Sequence, residues 1–199
     1  MIDFMNKTSS TADDILACSR ALIVNGGYNG FSYADIAEVV GIRKPSIHHH
    51  FPSKAELVKT LIERYLEEAE RGVENLERAV PRPLDLLRTY IGYWKTCIGD
   101  ASAPFCVCAL LASELPVLPE EVALQVRAYF RFLSGWLASV LERGLQQGVI
   151  VLNNTPRIEA EAFMALVHGA MLSARAYGDT EIFGAIIEPQ LQRLAAKGC

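Results

Sequence analysis

No apolar run in the 199 residues reaches the length of about 18 to 20 that a membrane-crossing helix needs. The opening Met1-Ile2-Asp3-Phe4-Met5 has no basic flank and no apolar stretch of the signal-peptide kind, so export is not expected and a cytoplasmic, membrane-free protein is. Cysteine is sparse and odd in number. Cys18, Cys97, Cys106, Cys108 and Cys199 share no framework spacing, which predicts thiols and not a disulfide scaffold. Also missing are a nucleophile elbow, a phosphate loop, a His-Glu-x-x-His pair and paired-cysteine metal ligands. These absences argue against an enzyme and leave no candidate metal or cofactor. His48-His49-His50 does not replace them, because consecutive helical residues point about 100° apart and cannot converge on one ion.

Basic charge is scarce overall, with a net charge of −4, but its distribution is uneven. Residues 41–54 hold Arg43, Lys44, Lys54 and three histidines without one carboxylate. The first 54 residues are neutral: Lys7, Arg20, Arg43, Lys44 and Lys54 balance Asp3, Asp13, Asp14, Asp35 and Glu38. The acidity lies in the rest of the chain. A basic patch at one end of an acidic body is the layout expected when that end docks on phosphate.

What the chain has in abundance is apolar residues at helical spacing, and no segment alternates as a strand does. Ile15, Leu16, Ser19, Leu22 and Ile23 form one stripe, ended by Asn25-Gly26-Gly27. Ser32 opens a short helix with Asp35 at the capping-box position, and Gly41 ends it. A third helix starts near Lys44, where Pro45 is tolerated in the first turn, and stops at Phe51-Pro52. Ser53-Lys54-Ala55-Glu56 caps a long fourth helix running to about Ala79. After Pro81-Arg82-Pro83, helices are predicted over 84–98, 104–114, 119–147, 156–177 and 179–196. Pro104, Pro119 and Pro156 mark starts, Gly148 and Gly178 ends.

The second and third helices meet at Gly41-Ile42-Arg43, with Ile36, Ala37, Val40, Ile42 and Ile47 available as the seam between them. The third helix then displays Lys44, Ser46, His48 and His49 beside Arg43, and is of a size to enter a major groove; His50 is expected to pack inward beside Phe51. Residues 31–58, FSYADIAEVVGIRKPSIHHHFPSKAELV, resemble the TetR/AcrR family of repressors, and the resemblance extends over roughly residues 10–60. The resemblance implies an all-α fold, with a three-helix helix-turn-helix head (1–54) on a larger helical-bundle body (55–199) that binds an effector and dimerises. It also implies a homodimer on pseudo-palindromic double-stranded operator DNA, released by a small molecule. Carried over to this chain, it assigns DNA contacts to Ser32, Tyr33, Arg43, Lys44, Pro45, Ser46, His48, His49 and Lys54. Arg43, Lys44, Pro45 and Ser46 would face base edges; Ser32, His48, His49 and Lys54 would face phosphate. Ala34 stands where many members carry arginine, and His48 where tyrosine is usual.

In the body, Tyr90, Tyr93, Trp94, Phe105, Tyr129, Phe130 and Trp136 are pocket candidates, with Glu114 and His168 as polar residues in apolar surroundings. Phe163, Met164, Leu166, Val167, Ala170, Met171 and Ala174 are too many to face a single neighbour, which predicts a buried or interfacial helix with Met171 central to it. Cys106 can be read in two ways: as a solvent-reachable thiol activated at a helix start, which would make a redox or electrophile sensor, or as a small buried hydrophobe. A helical carrier or enzyme that never touches DNA is the alternative class.

Overall fold

In the computed structural model, which describes residues 10–101 and 104–196, every regular element is helical among the described residues. Local chemistry sets the boundaries. Ser10 and Asp13 form a reciprocal capping box at the start of α1 (Thr11–Gly26). Ser32 and Asp35 do the same for α2 (Tyr33–Val40), where the Ser32 amide donates to Asp35 at 2.6 Å. Pro45 sits in the first turn of α3 (Lys44–His50), where no helical N–H is required. The Ser53 hydroxyl accepts from the Glu56 amide and opens α4 (Lys54–Ala79). The body continues with α5 (Pro83–Gly99), α6 (Val107–Ser113), α7 (Glu120–Gln146), α8 (Pro156–Tyr177) and α9 (Glu181–Leu194).

Gly41 has φ +73°, so the turn between α2 and α3 uses a left-handed conformation that a side chain would strain. The predicted seam forms: Ile36 and Ile47 are fully buried, with Ala37, Val40 and Ile42 packed around them. α1 crosses this pair and also packs on α4, whose first turns bury Leu57, Val58, Leu61 and Ile62. One apolar core therefore runs without a break from the head into the body, where α7 packs on α4, α5 and α8, and α8 on α9.

Two local expectations need correction, and a third, the setting of Met171, is narrowed to the core. The helix predicted over 104–114 is shorter, because Phe105 enters the core at a bend and Cys106 on extended backbone, and helicity begins only at Val107. His50 is exposed, since Ile47 and Phe51 already fill the inner face of α3. Met171 lies in the monomer core at 1% exposure, along with Phe163, Val167, Ala170 and Ala174. The outer face of α8 instead carries Ile158, Ala162, Ala165, Gly169, Leu172 and Ala176, spaced by three and four residues. The body's loops are held by Glu159, whose buried carboxylate accepts from the Asn153 and Asn154 amides and from Arg193 of α9.

Candidate functional site

Two regions of this fold gather the residues that the sequence singled out. The first is α3. Arg43, Lys44, Pro45, His48 and His49 are exposed around one short helix and its entrance, and Ser46 is half-buried. Among the described residues neither Arg43 nor Lys44 closes a salt bridge. The nearby Asp35 carboxyl is held below its ordinary range by the Ser32 hydroxyl and amide, with a further contribution from Lys44. Tyr33 is turned inward: its hydroxyl donates to the Phe51 carbonyl at 2.8 Å, and its ring meets the His48 ring edge-on at 4.7 Å. His48 Nδ1 lies 3.3 Å from the Pro52 carbonyl, so a proton there is donated to the chain and Nε2 is left for an outside partner. These contacts fix the angle at which α3 leaves the head.

Lys54, assigned to phosphate by the resemblance, is partly engaged within the head. Its ammonium donates to the Phe31 carbonyl and lies 4.1 Å from the Phe31 ring centroid and 5.0 Å from that of Tyr28. Burial lowers its pKa, opposed by Asp35 and Glu114. An ammonium has three donors, so two remain for an outside acceptor.

The second place is a cavity of about 390 Å³ between α4, α5 and α7, with Arg20 of α1 at its edge. Tyr90, Trp94 and Tyr129 line it, as does Tyr93. Other walls come from Tyr65, Ala69, Gly72, Val73 and Leu76 of α4, and from Phe132 and Leu133 of α7. Sequence reasoning missed the α4 wall. Its signal was a strip of apolar and small residues, Tyr65-x3-Ala69-x2-Gly72-Val73-x2-Leu76, within an otherwise charged helix. Burial raises the pKa values of Tyr65, Tyr90, Tyr93 and Tyr129, so their hydroxyls are protonated at neutral pH.

The remaining expected pocket residues lie elsewhere. Phe105 lines an adjoining, more polar cleft between α1 and α4, which shares Arg20, Tyr65 and Glu68 with the cavity. Phe130 and His168 pack on each other, ring centroids 5.3 Å apart, and burial depresses His168 to a pKa of about 4. Cys106 is closed to solvent: Tyr65 donates its hydroxyl to the sulfur at 3.6 Å, and the thiol donates to the Tyr129 hydroxyl at 3.7 Å. It therefore sits behind two cavity-lining tyrosines, at the start of α6 but without the solvent access the sensor reading requires. Cys199 lies outside the described residues. Glu114, just past the end of α6, reaches back to the head and accepts the Tyr28 amide at 2.8 Å. It occupies the space a Cβ on Gly27 would need, and Gly27 has φ +76°. No group of three or more histidine, cysteine or acidic residues could hold a metal, and no helix is long and apolar enough to cross a membrane, among the described residues.

A short cationic helix set on a glycine turn, above a bundle with an aromatic cavity, is an arrangement found in known proteins. A sequence profile described as "Bacterial regulatory proteins, tetR family" matches residues 15–61, which span most of α1, all of α2 and α3 and the start of α4. The crystal structure of a TetR-family transcriptional regulator from Agrobacterium tumefaciens superposes with a TM-score of 0.91 at 64% identity, covering 93% of this chain and 97% of that one. A TetR transcriptional regulator from Legionella pneumophila gives 0.85 at 28% identity, covering 94% and 99%. The HTH-type transcriptional repressor NemR of Escherichia coli is 24% identical over 177 residues, 86% of this chain and 88% of that protein. With 64% identity sustained over nearly the whole of both chains, this protein belongs to the TetR family of transcriptional regulators.

Proposed function

We propose that the chain is a homodimeric repressor whose head (1–54) reads a pseudo-palindromic operator and whose body (55–199) dimerises and binds the small molecule that releases it. The observation that carries the DNA reading is α3 itself, with Arg43, Lys44, Pro45, His48 and His49 exposed on a helix whose inner face is locked by Ile47 and Phe51. In this reading Arg43, Lys44, Pro45 and Ser46 face base edges, while Ser32, His48, His49 and Lys54 hold the sugar-phosphate backbone. Tyr33 acts by fixing α3 from below.

Dimerisation rests on the outer face of α8. Ile158 and Leu172 are more than half exposed, and between them Ala162, Ala165 and Gly169 offer a flat path for close helix approach. Pairing this face with its copy would place two heads on a two-fold axis, and the operator would repeat with that symmetry. The cavity between α4, α5 and α7 supports the ligand reading. α4 carries one wall and begins at the head, so a ligand that fits better with α4 displaced would respace the two heads and lower operator affinity.

A mobility-shift assay with DNA flanking the protein's own coding sequence tests the core of this. Expected is a complex that survives excess scrambled competitor and weakens steeply with salt. Equal affinity for operator and scrambled DNA would sink the repressor reading in favour of a helical carrier.

A further inference from the structure

The cavity between α4, α5 and α7 and the cleft between α1 and α4 meet at Arg20, Tyr65 and Glu68, which line both. On the cleft side the lining is exposed and charged, with Arg64 paired to Asp13. On the cavity side it is aromatic and aliphatic, and Arg20 and Glu68 are the charged residues in it among the described residues. The two spaces form one passage, from a polar mouth to an apolar chamber, with an ion pair at the junction.

That pair is loose. Arg64, Arg143 and Arg193 each donate a short hydrogen bond to a carboxylate. Arg20 stands 3.9 Å from Glu68, beyond hydrogen-bond reach, and its guanidinium otherwise packs over the Tyr65 ring, 4.8 Å from the centroid. Its side chain is one-third exposed, so the guanidinium donors are reachable from the passage, while Glu68 is more than half exposed. The positive charge also dominates further in. Burial raises the pKa values of Tyr65, Cys108 and Tyr93, and Arg20 opposes the rise in all three; at Tyr93, where Glu68 also acts, Arg20 is the stronger. A cationic ligand would be repelled at the junction. A neutral one would cover the guanidinium without giving it an ionised acceptor.

We infer that the passage takes an aromatic monocarboxylate, its ring in the cavity among Tyr93, Trp94 and Phe132 and its carboxylate on the Arg20 guanidinium in place of Glu68. The inference rests on the ligand-release reading and names the chemistry of the ligand. A planar carboxylate matches the guanidinium fork with two parallel N–H···O bonds, which Glu68 at 3.9 Å does not supply. Held at the junction, the carboxylate keeps one side toward water and is spared the cost of full burial. The volume of about 390 Å³ suits a body of one or two rings. Arg20 belongs to α1, which packs on α2 and α3, so the ligand would hold the head by its charge and the body by its ring.

The test uses full-length protein and three naphthalenes of matched shape in equilibrium dialysis: 2-naphthoate, 2-naphthamide and the 2-trimethylammonium salt. Expected is naphthoate binding about tenfold tighter than that of the amide, with the cation weakest, and loss of naphthoate binding in Ala69→Phe, which fills the cavity. The ratio of acid to amide affinity should fall about tenfold in Arg20→Gln, and likewise in Arg20→Met, which keeps a stem over Tyr65 should the glutamine variant not fold. A ratio unchanged in the folded variants, tightest binding of the cation, naphthoate binding indifferent to Ala69→Phe, or no naphthoate binding each overturns the inference. Operator release is read apart, in mobility shifts with the same compounds. Arg20-dependent naphthoate binding that leaves the operator complex intact would sink the release reading and leave the anion site standing. Release by the amide or the cation as readily as by naphthoate would do the reverse.

Discussion

The head and the body place their candidate site residues on opposite sides of their helices. In the head, the core takes Ile47 of α3 and Phe51 just past its end, and among the described residues Arg43 and Lys44 face out without a salt bridge. In the body, the candidate residues turn inward to a cavity, and α8 exposes an apolar strip of Ile158, Ala162, Ala165, Gly169 and Leu172. A surface site can be supplied by a few residues on one short helix. A cavity needs three helices held apart, so each wall comes from a different stretch of chain. Disruption should accordingly show as lost binding with an intact fold in the head, and as lost fold or lost assembly in the body.

The largest expected effect contrasts two neighbours on α8. Gly169→Glu charges the outer face and should give a folded monomer of 21.9 kDa by sedimentation, losing operator affinity by about a hundredfold or more as paired binding is lost. Met171→Glu puts an unpaired carboxylate in the core and should unfold the chain, read by helical circular dichroism. A dimeric Gly169→Glu protein with full affinity would break the comparison. Next comes pH. Burial holds His168 at a pKa of about 4, against 6.5 for the free side chain. Above pH 6.5 neither state binds this proton. As pH falls from 6.5 to 4 only the unfolded state takes it up, so stability is lost by up to about 3 kcal/mol over that window. Denaturant titrations of His168→Phe should show that part of the slope removed.

In the head, Lys44→Ala should cost about 1–3 kcal/mol on the matched operator and relax preference at one or two positions. A uniform loss on all DNA would reassign Lys44 to phosphate. Lys54→Ala should lower stability by about 1 kcal/mol through the lost bond to the Phe31 carbonyl, and lower the salt-dependence slope by about 0.9. A stability loss with an unchanged slope would make Lys54 wholly internal. The smallest effect concerns thiols. In a Cys199→Ser background, N-ethylmaleimide should modify half-buried Cys18 before Cys97, Cys106 or Cys108, which are buried. Early modification of Cys106 with DNA release would revive the thiol-sensor alternative.

What could be read in the sequence follows the same division. The caps at Ser32 and Ser53, the Gly41 turn and the Ile36–Ile47 seam are local, so spacing alone located them, and most helix limits in the body fell within a few residues of Pro and Gly signals. The cavity was half legible. Tyr90, Trp94 and Tyr129 stood out as aromatics at helical spacing, but nothing local says that Tyr65 and Gly72 of α4 stand opposite them. The same limit left Met171 open between core and interface, since an apolar helix shows that it is buried without showing which face meets its own chain. Glu114 was noticed as a polar residue among apolar ones; its partner lies 86 positions away and could not be inferred.

That long-range bond bears on how freely such heads can be exchanged between bodies. Glu114 grips Tyr28 only because position 27 has no side chain, so the two positions form a lock and its keyhole, one on each side of the head–body junction. A chimera joining this head to a foreign body would leave the Tyr28 amide without its acceptor unless the graft also carried a glutamate at position 114. Conversely, this body under a foreign head with an alanine at 27 would drive a methyl group into the carboxylate. The head of this chain therefore transfers intact only together with one distant residue, and not as a contiguous segment.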